Sequence, residues 1–236
     1  MKTYSKFVQF YEDVFQFKEK TFSFLKSYFP RESNSVLDLG CGTGAYISKF
    51  SSLTNSVLGI DNDSEMIKYA KQKYPEAEFR QMDIMRINEL ENDYDLNYSI
   101  GNVISHIPRK KHFELAEKIY SKTNKNGRLI FQTVNWDRIL DSGKQNFKII
   151  ENKEKGLQFF REYKEIGQDK VMFYLRLEEN DKIIFEEEQT LFPISSEEYK
   201  SIYSSAGFFM EDHYGDYEKN PYSRLQSPAN ILIFRK

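Results

Sequence analysis

Short apolar runs alternating with helical patterns across residues 35–134 predict an α/β fold, a parallel sheet with helices on both faces. Two further observations refine it. A glycine-rich turn, Gly40-Cys41-Gly42-Thr43-Gly44, separates the first run from the first helix. Between Phe147 and Phe192, alternating strand-like runs follow one another with no helix between them, which predicts an antiparallel β insertion. A chain of 236 residues, 39% hydrophobic and 16% aromatic, fits one domain, 1–236, carrying such an insertion over about 140–192.

The elements follow in order. Phe7, Phe10, Tyr11 and Val14, then Phe22, Leu25 and Phe29, fall at helical spacing, with a break near Lys18–Thr21 and Pro30 as the stop. Ser35–Leu39 reads as a buried strand and Ala45–Leu53 as a helix. Ser56–Asp61 is a second strand, followed by a helix over Ser64–Tyr74 that is capped by Asp63 or Ser64 and stopped before Pro75. Glu78–Gln81 and Tyr94–Ile100 are the third and fourth strands. A helix starts at Pro108 and runs to about Thr123, and the turn Asn126-Gly127 leads into a strand over Arg128–Val134. The insertion contributes Leu157–Ile166, Val171–Glu178 and Ile183–Leu191. Ser195 with Glu198 makes a capping box for a helix to about Ala206, and Phe208–Tyr214 and Asn230–Phe234 finish the chain as strands.

Charge and cysteine content narrow the class. Net charge is −2 with no long basic run, so no nucleic-acid partner is expected. One cysteine cannot form an internal disulfide, and no apolar stretch has the length of a signal core or a bilayer span. A cytoplasmic protein without membrane association is the expectation. No His/Cys cluster has metal-ligand spacing, so no metal is expected. The free edges of the β insertion can pair across a two-fold axis, which would give a homodimer.

The glycine turn carries the chemistry. It permits close approach of a ligand to the backbone. Gly40-x-Gly42-x-x-Ala45 also satisfies the dinucleotide fingerprint. Asp38, two positions before Gly40, argues against it, since a carboxylate there would repel a pyrophosphate. S-adenosylmethionine (SAM) has no phosphate but carries an ammonium and a sulfonium, which a carboxylate favours. Asp61 ends the second strand, placed to accept from both ribose hydroxyls. Asp83 follows the third strand, where it can accept from the adenine amino group, with Met66 and Ile84 as apolar surface for the ring. Three acids at successive strand ends converge on the carboxyl edge, the expected binding crevice of an open α/β sheet. Gly44, Asn62 and Ser99 complete the candidate cofactor set.

The run Asp38-Leu39-Gly40-Cys41-Gly42-Thr43-Gly44 resembles the first motif of class I SAM-dependent methyltransferases, and Gly59 to Ile67 resembles their second. The resemblance implies a Rossmann-like seven-stranded sheet with its last strand antiparallel. It also implies SAM as cofactor and S-adenosylhomocysteine (SAH) as product, with Gly40, Gly42, Asp61 and Asp83 holding them. Gly101-Asn102-Val103-Ile104-Ser105-His106-Ile107 is similar to a run in glycine and sarcosine N-methyltransferases, as is Tyr214-Gly215-Asp216-Tyr217. Sugar-amine N,N-dimethyltransferases likewise place a His where His106 stands. The Arg that clamps the substrate carboxylate in the glycine enzymes has no counterpart before Asn135-Trp136-Asp137, which counts against glycine itself.

The implied reaction is methyl transfer to a small-molecule acceptor, with an amine as the expected acceptor. Methylation of a hydroxyl or a macromolecule, or a non-enzymatic SAM-binding module, remain the alternatives. Asn97-Tyr98-Ser99-Ile100 lacks the prolines of base-amine methyltransferases. His106 is the candidate proton acceptor, against the readings of a helix cap or a pocket wall. Tyr11, on an N-terminal lid over 1–30, and Asn102 are candidate acceptor contacts; Trp136 either lines the acceptor pocket or packs against the insertion. Cys41 reads as a packing residue, and His112 and His213 as surface residues.

Overall fold

The computed structural model describes residues 5–29 and 35–236, so Met1–Tyr4 of the expected lid, and the stop at Pro30, lie outside the described residues. A 3₁₀ turn over Ser5–Phe10 leads into α1 (Tyr11–Val14), and α2 (Glu19–Ser27) follows. The break between them falls at Phe15–Lys18, three residues before the expected one. The first half then alternates: β1 (Ser35–Leu39), α3 (Ile47–Phe50), β2 (Ser56–Asp61), α4 (Ser64–Lys73), β3 (Glu78–Gln81) and β4 (Tyr94–Ser99). A 3₁₀ turn at Val103–His106, α5 (His112–Ser121), β5 (Thr123–Val134) and α6 (Trp136–Ser142) follow. β6 (Ile150–Asn152), β7 (Leu157–Ile166), β8 (Val171–Glu179) and β9 (Lys182–Leu191) form the insertion. The chain ends with α7 (Ser196–Ser205), β10 (Phe209–Tyr214) and β11 (Ala229–Arg235).

The main sheet has seven strands in the order β10-β11-β5-β4-β1-β2-β3. β1 to β5 pair in parallel, and β11 runs antiparallel to both its neighbours. The order reverses beside β1, so the carboxyl ends of β1, β2 and β4 open the crevice in which such sheets bind ligands. β1 is buried along its whole length, as a central strand covered on both faces must be. One helical layer is built on Phe22, Phe24 and Leu25 of α2 with Ile47 and Phe50 of α3; the other takes Leu115 and Ile119 of α5 with Tyr199 and Tyr203 of α7. A separate antiparallel sheet, β6-β7-β8-β9, is the insertion.

Several elements differ from expectation for local reasons. α3 spans Ile47–Phe50 only, because the chain after it closes three-residue turns such as Ser51 N–H to Ser48 C=O, 3.2 Å. Pro108 does not begin α5: a 3₁₀ turn over Arg109–Lys111 intervenes. β5 starts at Thr123, and the predicted Asn126-Gly127 turn is an interruption inside it, with Asn126 at φ 64° and a register shift against β4. α6 was not expected. The Asn135 side chain accepts from Arg138 N–H at its start, and Gly143 stops it at φ 64°.

Two glycines are required by contact. Gly40 has φ +88°, and a Cβ there would stand 2.5 Å from Val103 Cγ1. Gly44 has φ +83°, and its Cβ would meet Phe79 Cε1 at 2.4 Å. Gly44→Ala combines overpacking with a left-handed backbone, an expected loss of about 2–5 kcal/mol. Scanning calorimetry should show a fall in Tm of about 5–15 °C. Adding Phe79→Leu should recover part of it; an unchanged Tm in the single variant would contradict the geometry.

Candidate active site

The glycine turn is fixed to β2. Gly40 and Cys41 both donate backbone N–H to Ile60 C=O, at 2.8 and 2.9 Å. The Asp61 carboxylate holds the loop from the other side: Oδ2 accepts from Gly42 N–H and Oδ1 from Asp63 N–H, each at 2.9 Å. Burial raises the Asp61 pKa, opposed by those backbone donors. Cys41 packs its sulfur under the loop, where a Cβ on Gly59 would come within 2.9 Å, in keeping with a packing role.

Asp38 is 2% exposed at the end of β1, and its Oδ1 is buried without a hydrogen-bond partner. Burial pushes its carboxyl up to about 8, with the Tyr98 hydroxyl opposing the shift and the Asp61 charge adding to it. A buried carboxylate oxygen without a donor carries a full desolvation penalty, and a cationic ligand at this loop would relieve it. The residues present therefore fit the ammonium-bearing cofactor.

The remaining candidates divide. Asp83 is exposed and caps the turn Ile84–Glu89, its Oδ1 accepting from Met85 N–H at 2.9 Å, and Ile84 is nearly buried behind it. Asn62 is exposed beside Asp61 and accepts through its carbonyl from Gln81 Nε2. Met66 is buried on α4 below the Asp63 cap. Ser99 is fully buried and donates to Leu39 C=O at 2.7 Å, so its hydroxyl braces β4 on β1. Asn102 sits at φ 68°, and its Oδ1 accepts from Ser105 Oγ and Val134 N–H; this side chain shapes the turn that leads to His106.

That turn begins at Val103, against Gly40, and ends at His106, whose Nδ1 is buried and unpartnered. Burial pushes the imidazole down to about 4, so His106 is neutral at physiological pH. Tyr11 covers the loop, its hydroxyl 3.6 Å from where a Cβ on Gly42 would stand. Its segment is tied to both layers: Glu12 pairs with Lys73 of α4, and Asp13 accepts from Lys155 of the insertion at 2.8 Å.

Three expectations from sequence change here. Trp136 is 1% exposed, donates Nε1–H to Ser105 Oγ at 2.9 Å and stacks on Tyr163 at 5.6 Å; it packs against the insertion, the second of its two readings. His112 is not a surface residue: it is fully buried, its Nε2 3.0 Å from Ile107 C=O and its ring edge-on to Tyr199. His213 is half-buried, stacked on Tyr222 at 4.0 Å and bonded to Asn230 Oδ1. Asn135 and Asp137, flanking Trp136, both accept from the Tyr222 hydroxyl, and Asp137 also from Ser196 N–H. Sequence reasoning assigned this network no role.

A seven-stranded sheet with one reversed strand, a glycine turn after β1 and acids at the ends of β1 and β2 make the carboxyl edge of the sheet a ligand crevice suited to a cationic cofactor. Residues 36–127 match the family model described as a methyltransferase domain, and the fold is shared with SAM-dependent methyltransferases of known structure. The glycine/sarcosine N-methyltransferase of Halorhodospira halochloris is 24% identical over 223 residues, 90% of this chain and 81% of that one. The 235L protein of Invertebrate iridescent virus 6 is 47% identical over 66 residues, which span 27% of this chain but only 24% of the viral protein. A SAM-dependent methyltransferase from Clostridium acetobutylicum superposes with a TM-score of 0.83 at 15% identity, covering 98% of each chain; this likeness is one of fold. Among the described residues no helix is long and apolar enough to cross a membrane.

Proposed function

We propose that the protein transfers the methyl group of SAM to the nitrogen of a small-molecule amine in the cytoplasm. The observation that carries this reading is His106: neutral, with a buried and unpartnered Nδ1, at the end of a turn that starts against the glycine loop. A relative named as an N-methyltransferase over nearly the whole chain supports the choice of nitrogen. Asp38, Gly40, Gly42, Asp61 and Asp83 hold the cofactor in this reading, and residues 140–192 roof the acceptor while the N-terminal segment with Tyr11 closes over it.

Bound SAM supplies an electrophilic methyl carbon on a sulfonium. The protein's part is alignment, which can account for much of the acceleration of an in-line displacement. His106 Nδ1 accepts a hydrogen bond from the acceptor N–H and so directs the nitrogen lone pair. With its basicity suppressed, His106 does not itself remove the proton of an ammonium. The amine arrives already neutral, and the proton released after transfer leaves to solvent.

Methyl-labelled SAM incubated with the protein and a panel of primary and secondary amines is expected to yield N-methylated products and SAH. The kcat/KM should rise about tenfold per pH unit up to the acceptor's own pKa, without a bend near 6.5. Transfer to none of the amines, or to a hydroxyl in their place, would overturn the reading.

A further inference from the structure

The inner face of the second sheet is apolar at both ends and along β8, and its middle rows carry three polar side chains, Arg161, Glu187 and Gln189. Pairing places Phe159, Leu177 and Phe185 in one row, and Val171 with Leu191 in another. The first row packs on Phe10 and Val14, the second on Trp136 and Ile139. Between them lie the rows Arg161–Leu175–Glu187 and Tyr163–Phe173–Gln189. Alternation along β9 turns Gln189 to the same side as Phe185 and Leu191. Gln189 is 3% exposed, and neither its Oε1 nor its Nε2 has a hydrogen-bond partner. A buried primary amide unpaired at both ends is rare, because each unmade bond carries its group's full desolvation penalty.

The position of this amide gives the orphaned atoms a use. β9 packs against the turn Val103–His106, and Phe192 N–H, just past the strand, donates to Ser105 C=O at 2.8 Å. His106 Nδ1, on that turn, is buried and unpartnered as well. Two orphaned polar groups thus stand on the two elements that meet between the roof and the glycine loop.

We infer that Gln189 is a specificity-determining residue for the acceptor and recognises a hydroxyl group carried close to the methylated nitrogen. The inference rests on the amine reading above. An amide presents an acceptor and a donor side by side. An alkyl chain satisfies neither, a carboxylate only accepts, and an ammonium only donates. A hydroxyl, or two neighbouring hydroxyls, both donates to Oε1 and accepts from Nε2. A hydroxylated amine is the acceptor class that fits.

The test compares wild type with Gln189→Met, which keeps the size and removes both polar atoms. The probes are aminoalkanes of three to six carbons and their mono- and dihydroxylated counterparts. In wild type, kcat/KM should be at least about tenfold higher for the hydroxylated members. Q189M should lose that preference through KM, with SAH affinity unchanged and Tm in the absence of acceptor no lower than wild type. Titration of the SAH-loaded protein with the same compounds reads the contact without turnover. Gln189→Glu, whose buried carboxyl stays protonated and so keeps a donor beside an acceptor, should retain the preference for hydroxylated members. Equal preferences in wild type and Q189M, no binding of any hydroxylated member, or a Tm lowered by about 5 °C or more would overturn the inference. Methyl transfer to oxygen alone would instead remove the amine reading, with the Q189M binding difference still standing.

Discussion

Asp61→Ala should lower the affinity for SAH by about 10²–10⁴-fold, the largest single effect expected at this site. The carboxylate has two functions that fail together. It tethers the glycine turn through Gly42 N–H and Asp63 N–H, at 2.9 Å each, and in the proposed cofactor set it accepts from both ribose hydroxyls. Hydrogen bonds to a charged acceptor are worth about 1.5–3 kcal/mol apiece, so losing two gives the range above. The variant should still fold, because burial already works against this carboxylate in the free protein. Calorimetric titration with SAH, paired with a melting curve, separates the two effects. Asp83→Ala is the internal control. Its side chain is exposed and caps one short turn, so its loss should cost about tenfold or less. SAH binding to Asp61→Ala within threefold of wild type would remove Asp61 from the site.

How much of this was legible in the sequence follows from how each signal arises. β1, β2 and β3 have the bounds expected from sequence; for β1 and β2 the reason is that strands packed on both faces read as apolar runs between polar turns, whereas β3 is an exposed edge strand that buries only Phe79. The strands of the insertion were legible for the opposite reason: one face is exposed, so inward and outward residues alternate. α6 was missed although Asn135 and Gly143 mark both its ends, since seven residues are too few to show a helical period. The fate of single polar side chains was not legible. Ser99 and Asn102 occupy the right strand end and turn, but their side-chain oxygens bond Leu39, Ser105 and Val134, partners distant in sequence or hidden by the turn geometry. His112 reads as a surface residue from its polar surroundings, yet the short 3₁₀ turn before α5 places it on the buried stripe with Leu115 and Ile119. Gln189 had a signal that went unused: a polar residue at an inward position between Phe185 and Leu191. Its meaning depends on which element the roof faces, and only the tertiary structure supplies that.

Asp38→Asn should change stability and cofactor affinity in opposite directions, each with its own pH dependence. In the free protein the Asp38 carboxyl titrates near 8, well above its usual value of 3.8, because it is buried and one oxygen has no donor. A raised folded-state pKa means that the stability it contributes is present below about 4 and is lost as pH rises towards 8. The Asn variant has no charge to bury. Its melting temperature should match wild type near pH 4 and exceed it by about 5 °C or more near pH 8. Cofactor binding runs the other way. The ammonium of SAM or SAH favours the ionised carboxylate, so wild type must release close to one proton on binding at pH 7, and its affinity should climb from pH 6 to 8. The variant should bind SAH about 10–100-fold more weakly at pH 8, with a flat profile and no proton release. Titration calorimetry in buffers of different ionisation enthalpy counts the proton directly. Equal melting temperatures at every pH, together with no proton released by wild type, would mean that the carboxylate is already ionised and paired before the cofactor arrives. The orphaned Oδ1 would then have another explanation than the ligand, and the case for Asp38 as the residue that distinguishes this loop from a dinucleotide site would fall with it.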